Sequence, residues 1–208
     1  MKLTNRRSRP VFAAVGVVTA VICLALAAAA EPGYDVKPKQ APALPDKGWL
    51  NTPGNKPLKL DELRGKVVLV EFWTFACFNC RNTLPYVKAW HEKYAKQGLV
   101  VIGVHSPEFD FERKPENVQN SLRKLGITYP VVLDNDFTTW NRYQNRYWPT
   151  IYLIDAMGRI VYTKVGEGDY DRTERKIQQL LAQTRIGWVP AEGKTRNSLK
   201  TRKWRRKQ

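Results

Sequence analysis

Cysteine and histidine are scarce in this sequence, whose 208 residues include three cysteines and two histidines. Cys23 lies inside an N-terminal apolar run, which leaves Cys77 and Cys80 as the thiols of the remaining chain. One pair of thiols excludes a framework of disulfides as the source of stability. The fold therefore depends on a hydrophobic core, for which the chain is long enough.

Acidic residues are missing from the N-terminal end of the chain. Residues 1–30 carry four positive charges and no acid, and Thr195 to Gln208 carry seven more positive charges. Much of the formal net charge of +16 thus comes from the two ends. The middle is only mildly basic, so the charge of the whole chain says little about the folded part.

The N-terminal segment has the pattern of an export signal. Basic residues in 1–10 precede twenty uncharged residues, Val11 to Ala30, and Ala28-Ala29-Ala30 fits an A-x-A cleavage site. Twenty residues also suffice to span a bilayer, so both a cleaved signal and a membrane anchor fit. Either alternative predicts that residues 31–208 are exported, to the periplasm or the outer face of the inner membrane.

Composition divides the rest of the chain into three parts. Residues 31–47 hold four prolines, which predicts an extended linker. Residues 48–184 show the periodicity of a folded domain. Residues 185–208 predict a disordered basic tail that contacts anionic phospholipid, or that merely keeps the chain in solution. Nucleic acid is not an expected partner of an exported chain.

The segment from Val67 to Cys80 is the most informative in the sequence. Val67 to Trp73 is apolar apart from Glu71, which predicts a strand buried on both faces. Cys77 and Cys80 follow at once and open a predicted helix. A thiolate at Cys77 would lie against the partial positive charge of the helix N-terminus, which lowers its pKa. Cys80, one turn later, is close enough to attack a mixed disulfide formed at Cys77.

Three other interpretations of the two cysteines compete with redox chemistry. A structural disulfide closing so short a loop would contribute only about 2 kcal/mol in the chain-entropy model. A zinc site needs four ligands, and beyond these thiols the sequence offers His91 and His105 but no second Cys-x-x-Cys. A pair of inert buried thiols is the third. The strand–Cys-x-x-Cys–helix context favours the redox interpretation.

Periodicity and turn residues predict the other elements of an α/β domain. A small hairpin and a helical turn are expected within 48–66, and a polar loop within 106–114. The predicted helices span 81–97, with Pro85 inside, 115–125, 136–147 and 171–184. The predicted strands after the first span 99–104, 129–133, 151–154 and 160–165.

This order of elements resembles the thioredoxin fold, a central mixed sheet flanked by helices, here with an N-terminal hairpin and a helical insertion at 105–128. Five features match that family by position: the aromatic Trp73, the buried carboxylate Glu71, the nucleophilic and resolving thiols Cys77 and Cys80, the helix proline Pro85, and the cis-proline Pro149 facing the thiols.

The run from Trp73 to Leu181 is most similar to the periplasmic thioredoxin-like domain of DipZ-type proteins, and the insertion resembles that of exported, membrane-tethered relatives associated with cytochrome c biogenesis. Three phrases carry the likeness: Gly103–Glu108, Asn145–Pro149 and Gly166–Tyr170. The sequence departs from the family pattern in the dipeptide Phe78-Asn79 between the cysteines, which leaves the direction of electron flow open. It also lacks the multi-span membrane domain of DipZ-type proteins, so a reductase role requires a separate transmembrane electron donor.

The resemblance implies a thiol–disulfide oxidoreductase of the cell envelope that acts on protein thiols and disulfides. Glu71 would accept the proton of Cys80, unless it instead reaches solvent or pairs with Lys66. Trp148 would form a wall of the substrate groove or belong to the core. The other expected groove residues are Trp73, Phe78, Asn79 and Thr150.

We expect no cofactor and no metal, because the redox group would be the Cys77–Cys80 pair. His91, on an exposed helix face, and His105, at a strand end, receive no catalytic role. A thiol peroxidase is an alternative function, given the Thr74-x-x-Cys77 spacing, although the upstream proline of that class is absent and Cys80 follows too closely. A binding module without turnover is the other alternative, against which the intact thiols argue.

Overall fold

Seven β-strands form one mixed sheet within residues 35–185, the part of the chain that the computed structural model describes. The strand order is β1-β7-β6-β3-β4-β5-β2. β3 pairs in parallel with β4, and β4 with β5, whereas the other neighbours are antiparallel. The strands are β1 Asp35–Gln40, β2 Trp49–Leu50, β3 Val67–Trp73, β4 Leu99–His105, β5 Val131–Leu133, β6 Thr150–Ile154 and β7 Arg159–Val165.

Four α-helices and four short 3₁₀ segments accompany the sheet in this part of the chain. The α-helices are α1 Phe78–Tyr94, α2 Pro115–Leu125, α3 Thr138–Arg142 and α4 Tyr170–Arg185. The 3₁₀ segments are Pro53–Asn55, Leu60–Leu63, Ala95–Gln97 and Asp110–Arg113. The described structure is therefore the flanked mixed sheet of the thioredoxin fold, with α2 and the segment before it as the insertion.

Strand β3 occupies the middle of the sheet, and all seven of its residues are buried. Its side chains alternate between two cores, as expected for a strand covered on both faces. Leu69 and Trp73 pack with residues of α1, α2 and α4, whereas Val70 and Phe72 pack with Tyr143 and other aromatic residues on the opposite face. β3 thus positions the segment that follows it, including Cys77, at the edge of the sheet.

The N-terminal part of the domain differs from the sequence prediction. Asp35–Gln40, assigned to the linker, forms edge strand β1 against β7, and the backbone N–H of Ala41 extends this pairing to Gly158. β2 pairs with β5 at the other edge, so the expected N-terminal hairpin within 48–66 is absent. The residues of β1 are mostly exposed, so the sequence shows no hydrophobic periodicity there. Pro38 is tolerated because the strand lies at an edge of the sheet.

Most other predicted elements are found with boundaries shifted by a few residues, and α2 matches its predicted span. The expected helix at 136–147 is an exception, because α3 covers only Thr138–Arg142. Gln144 then adopts a positive φ of 55°. The aromatic residues of this stretch instead pack around Phe72, whose ring lies 5.9 Å from Trp140 and 5.3 Å from Tyr143.

The predictions for the chain ends fall outside the described residues. The signal or anchor at 1–30 and nearly all of the basic tail at 185–208 lie there, while Arg185 is the last residue of α4. Between residues 35 and 185, no helix combines the length and the apolar character that crossing a bilayer requires.

Candidate active site

Cys77 and Cys80 lie where the centre of the sheet meets the first helix. Thr74 to Ala76 connect β3 to Cys77, which is the N-cap residue of α1, and Cys80 lies in the first turn. Both side chains are free thiols, Cys77 half-buried and Cys80 buried. The backbone N–H of Cys80 donates to Cys77 Sγ over 3.3 Å. The sulfur of Cys77 is therefore the acceptor for a backbone donor that the helix leaves unpaired.

The surroundings of Cys77 stabilise its thiolate. The Cys80 thiol donates to it, and together with the backbone N–H groups of Cys80 and Asn79 it lowers the pKa of Cys77 from 9.0 to about 7. Partial burial and the charge of Glu108 oppose this shift. A substantial fraction of Cys77 is consequently thiolate at neutral pH, which is the nucleophilic form.

Cys80 has the opposite character. Burial is the main cause that raises the pKa of its thiol well above the usual value, and the hydrogen bond to Cys77 and the charges of Cys77 and Glu71 act in the same direction. Cys80 thus keeps its proton while Cys77 is reduced. The asymmetry assigns attack to Cys77 and makes Cys80 a thiol that requires a base before it can react.

Alkylation of the reduced chain tests this asymmetry. We expect iodoacetamide to modify Cys77 with a half-maximal rate near pH 7, because the thiolate is the reacting form and the pKa of Cys77 is about 7. Cys80 should stay unmodified over the same range. Fragmentation mass spectrometry of the peptide that holds both cysteines measures the two rates separately. A midpoint for Cys77 near its usual pKa of 9.0 would contradict the assignment.

Glu71 is a carboxylic acid without accessible surface in the middle of β3. Its main-chain neighbours are Gly103 on β4 and Ile151 on β6, and the Tyr129 hydroxyl donates to its Oε2 over 3.3 Å. Burial raises the pKa of Glu71 from 4.5 to about 8, with a smaller contribution from the charge of Cys77 and an opposing one from the Tyr129 hydrogen bond. This burial excludes the alternatives in which Glu71 reaches solvent or pairs with Lys66.

Pro149 immediately precedes β6 and follows a cis peptide bond with Trp148, as the resemblance implied. The Pro149 carbonyl accepts from the backbone N–H of Gly166 over 2.8 Å, which holds it against the loop after β7. The indole of Trp148 donates to the Ser106 carbonyl over 3.0 Å and packs on Trp140 with a centroid distance of 4.3 Å. These two contacts hold the Trp148 side chain in place. Because Trp148 is only half-buried, part of its side chain is still accessible to solvent.

The predicted groove residues separate into exposed and buried ones. Phe78 is 74% exposed and Asn79 is exposed, so both side chains are available to a partner. Trp73 and Thr150 are at most 1% exposed, which corrects the prediction that they line a groove. Trp73 packs in the core, and Thr150 donates its hydroxyl to the Tyr147 carbonyl over 2.8 Å.

A buried polar cluster beside the thiols escaped the sequence prediction. Thr74, His105 and Glu112 all lack accessible surface, and the Thr74 hydroxyl donates to Glu112. His105 therefore lies in the interior, as the last residue of β4. The neighbouring charged and aromatic residues of 106–114 are typical of a surface loop, so no local pattern marks Glu112 as buried. His91 is half-buried, with its ring 5.8 Å from that of Tyr129, rather than on an exposed face.

The described residues show no arrangement suited to metal binding. Nowhere in 35–185 do three or more His, Cys, Asp or Glu side chains converge in the way a metal ion would require. Cys77 and Cys80 thus lack the additional ligands that the zinc alternative demands.

Comparisons with known proteins agree with this geometry. The AhpC/TSA family model matches residues 39–163. Protein DipZ of Mycobacterium bovis is 54% identical over 140 residues, which are 67% of this chain and 20% of that protein. The chain therefore spans about a fifth of the length of this relative. The thiol-disulfide oxidoreductase YkuV of Bacillus subtilis is 27% identical over 139 residues, or 67% of this chain and 91% of that protein.

Solved structures with similar folds include two thiol–disulfide proteins. A thiol-disulfide isomerase from Corynebacterium glutamicum has a TM-score of 0.60 at 29% identity, covering 68% of this chain and 97% of its own. A thiol:disulfide interchange protein of the thioredoxin family from Chlorobium tepidum has a TM-score of 0.58 at 26% identity, covering 71% and 99%. The fold is thus shared with proteins whose names denote disulfide chemistry.

Proposed function

This chain belongs to the AhpC/TSA family and has the thioredoxin fold, and from that premise we propose that Cys77 and Cys80 exchange electrons with disulfides of substrate proteins. The observation that carries the proposal is the asymmetry of the two thiols. Cys77 has a lowered pKa and accessible surface, whereas Cys80 is buried and protonated behind it. This is the arrangement that a nucleophilic thiol and a resolving thiol require.

In the reducing direction, the Cys77 thiolate attacks one sulfur of a substrate disulfide. The S–S bond of the substrate breaks, its other sulfur leaves as a thiolate, and a mixed disulfide joins Cys77 to the substrate. Cys80 then loses its proton and attacks Cys77 Sγ, which releases the second substrate sulfur. Two electrons have passed to the substrate, and the chain holds a Cys77–Cys80 disulfide. The oxidising direction is the reverse of these steps.

Glu71 is the proposed acceptor of the Cys80 proton. Its charge acts on Cys80 and that of Cys77 acts on Glu71, so the three groups are electrostatic neighbours. With a pKa of about 8, Glu71 is close to the pH at which a general base works best near neutrality. Once Cys77 is in a mixed disulfide, the negative charge that opposed ionisation of Cys80 is gone.

Glu71→Gln should slow resolution of the mixed disulfide while leaving the first attack intact. We expect release of substrate from the mixed disulfide to slow by about tenfold to a hundredfold near pH 7, a modest share of what general bases contribute. Rapid-quench measurement of the mixed disulfide and the released thiol separates the two steps. Equal slowing of both steps would mean that Glu71 does not act on Cys80 specifically.

The surface around Cys77 provides the proposed substrate contacts. Phe78 and Asn79 lie exposed between the cysteines, and Trp148 and Pro149 immediately precede the neighbouring strand β6. A substrate segment would lie between them with its backbone next to Trp148, in the way an extended peptide pairs with exposed main-chain groups.

Reduction of insulin disulfides by the full chain, with dithiothreitol as electron donor, tests the proposed function. We expect a rate well above that of dithiothreitol alone, and only the rate of dithiothreitol alone when the thiols of the chain are alkylated beforehand. A peroxidase would instead oxidise the thiols rapidly with hydrogen peroxide and leave insulin intact. The peroxidase alternative rested on the Thr74-x-x-Cys77 spacing. It is disfavoured because the Thr74 hydroxyl donates to Glu112 rather than to Cys77. A binding module would show neither reaction.

We further propose that residues 31–208 act outside the cytoplasm and receive electrons from a separate transmembrane partner. The support is the sequence pattern of residues 1–30 together with the similarity to DipZ. An enzymatic reporter that works only after export should be active when fused after Gln208. Mass analysis then distinguishes a mature start at Glu31 from retention of Met1 in the membrane fraction. An inactive fusion would contradict export.

A further inference from the structure

Glu112 is a second carboxylic acid without accessible surface, in the insertion that follows β4. It lies in the 3₁₀ segment Asp110–Arg113, 38 residues after Thr74 and 36 after Ala76. A buried carboxylate is costly unless its oxygens are satisfied by hydrogen bonds. The partners of Glu112 therefore indicate why the chain keeps an acid at this position.

Both oxygens of Glu112 accept two hydrogen bonds each. Oε1 accepts from the Thr74 hydroxyl and from the backbone N–H of Ala76, the latter over 2.9 Å. Oε2 accepts from the backbone N–H groups of Glu108 and Phe109 over 2.8 Å and 3.0 Å. One carboxylate thus joins the insertion to the three-residue segment between β3 and Cys77.

His105 supports the same segment from the other side. Its Nε2 lies 3.3 Å from the Thr74 hydroxyl oxygen. Because the Thr74 proton is donated to Glu112, that oxygen accepts from an Nε2–H of His105. Burial lowers the pKa of His105 to about 4, so the ring is neutral at pH 7. The ring also packs against Trp73 and Phe75, with centroid distances of 5.4 Å and 5.5 Å.

We propose that Glu112 is a positioning residue for Cys77, which holds Ala76 so that the Cys77 sulfur stays at the N-terminus of α1. Ala76 immediately precedes Cys77, so its N–H fixes the peptide that leads into the nucleophile. A shift of this peptide would move the sulfur away from the N–H of Cys80, now 3.3 Å from it. The inference deepens the proposed function and rests on it.

The hydrogen-bond pattern predicts that glutamine is a poor replacement for Glu112. Each oxygen faces two donors, so an amide nitrogen on either side meets N–H groups instead of an acceptor. On the Oε2 side it would face two backbone donors. On the Oε1 side the Thr74 hydroxyl can rotate and accept a hydrogen bond from the amide nitrogen. Only the Ala76 N–H then faces another donor instead of an acceptor. Glu112→Gln should therefore displace Ala76 in particular.

The pH profile of Cys77 alkylation in the full, reduced chain tests this inference. The other titratable groups that act on Cys77 are Cys80, Glu71 and Glu108. In Glu112→Gln we expect iodoacetamide to modify Cys77 about tenfold more slowly near pH 6, because the thiolate loses its aligned donors. The rates should converge near pH 10, where the thiol is ionised in both proteins. Glu112→Asp keeps the negative charge on a shorter side chain, so its carboxylate lies farther from Ala76. We expect a smaller decrease in the rate of Cys77 alkylation for this variant.

Glu108→Gln is the matched control, because it makes the same chemical change on an exposed neighbouring residue. The charge of Glu108 raises the pKa of Cys77, so this variant should alkylate as fast as the wild type or faster near pH 6. An unshifted or accelerated profile in Glu112→Gln would overturn the positioning role. If Glu112→Gln fails to fold, an unshifted or accelerated alkylation profile in Glu112→Asp would overturn the positioning role instead. A wild-type midpoint near 9 would instead contradict the proposed function itself.

Discussion

Cys77→Ser should abolish disulfide exchange completely, and Cys80→Ser should stop it at the mixed disulfide. The reason is that Cys77 alone combines a lowered pKa with accessible surface, whereas Cys80 can act only after Cys77 has bound the substrate. In Cys80→Ser no thiol remains to resolve the covalent intermediate. Non-reducing electrophoresis of the variant after incubation with a protein disulfide should show an adduct that dithiothreitol removes.

Cys23→Ser is the control for this pair of variants, since it removes the third thiol of the chain. It should exchange disulfides at the wild-type rate. Accumulation of adducts by Cys77→Ser instead of Cys80→Ser would reverse the roles of the two thiols. Undiminished insulin reduction by the Cys77→Ser variant would contradict the proposed function.

Glu71→Gln should stabilise the reduced chain at alkaline pH. The folded chain keeps the Glu71 proton up to about pH 8, whereas an unfolded chain releases it near 4.5. Between these values the folded state binds more protons, so its free energy of unfolding falls as pH rises. The loss is about 1.4 kcal/mol per pH unit, or about 4–5 kcal/mol in all above pH 8.

Glutamine removes this loss because it carries no charge, and its carbonyl can still accept from Tyr129. A buried amide with an unpaired N–H costs about 1–2 kcal/mol, so we expect a net gain of about 2–4 kcal/mol at pH 9. Near pH 4 the gain should give way to a loss of about 1–2 kcal/mol, because Glu71 is largely protonated there in both states and only the cost of the buried amide remains. Denaturant unfolding of the reduced proteins at both pH values measures the difference. Glu116→Gln, at an exposed position on α2, controls for the loss of an acid.

A gain of the same size at pH 4 and pH 9 would show that Glu71 is not a buried acid with a raised pKa. A loss of stability at pH 9 would do the same. Either result would also remove the argument that this carboxyl takes the proton of Cys80.

Local patterns in the sequence were sufficient to locate the candidate redox site. The strand Val67–Trp73 is apolar on both faces, so its burial and its central place followed from composition. The Cys-x-x-Cys spacing at the start of a helix then identified which thiol would be the nucleophile. The burial of Glu71 was expected for the same reason, because its neighbours on the strand are all apolar.

Partners that are distant in the sequence could not be predicted in this way. Tyr129, which donates to Glu71, lies 58 residues away, and Glu112 lies 38 residues from Thr74. Each pairing depends on how strands and the insertion meet in three dimensions, which no periodicity encodes. β1 was missed for a related reason, since an exposed edge strand is held by main-chain hydrogen bonds and has no apolar pattern.

A redox titration of the full chain tests the central claim most directly. The protein is equilibrated in buffers of reduced and oxidised dithiothreitol or glutathione, the remaining thiols are alkylated, and the fraction that holds a Cys77–Cys80 disulfide is measured by mass spectrometry. We predict one two-electron transition, with about 30 mV per tenfold change in ratio, at a potential above about −300 mV. Two thiols that stay reduced in every buffer, or a disulfide that is still mostly intact at about −300 mV, would contradict an exchange protein.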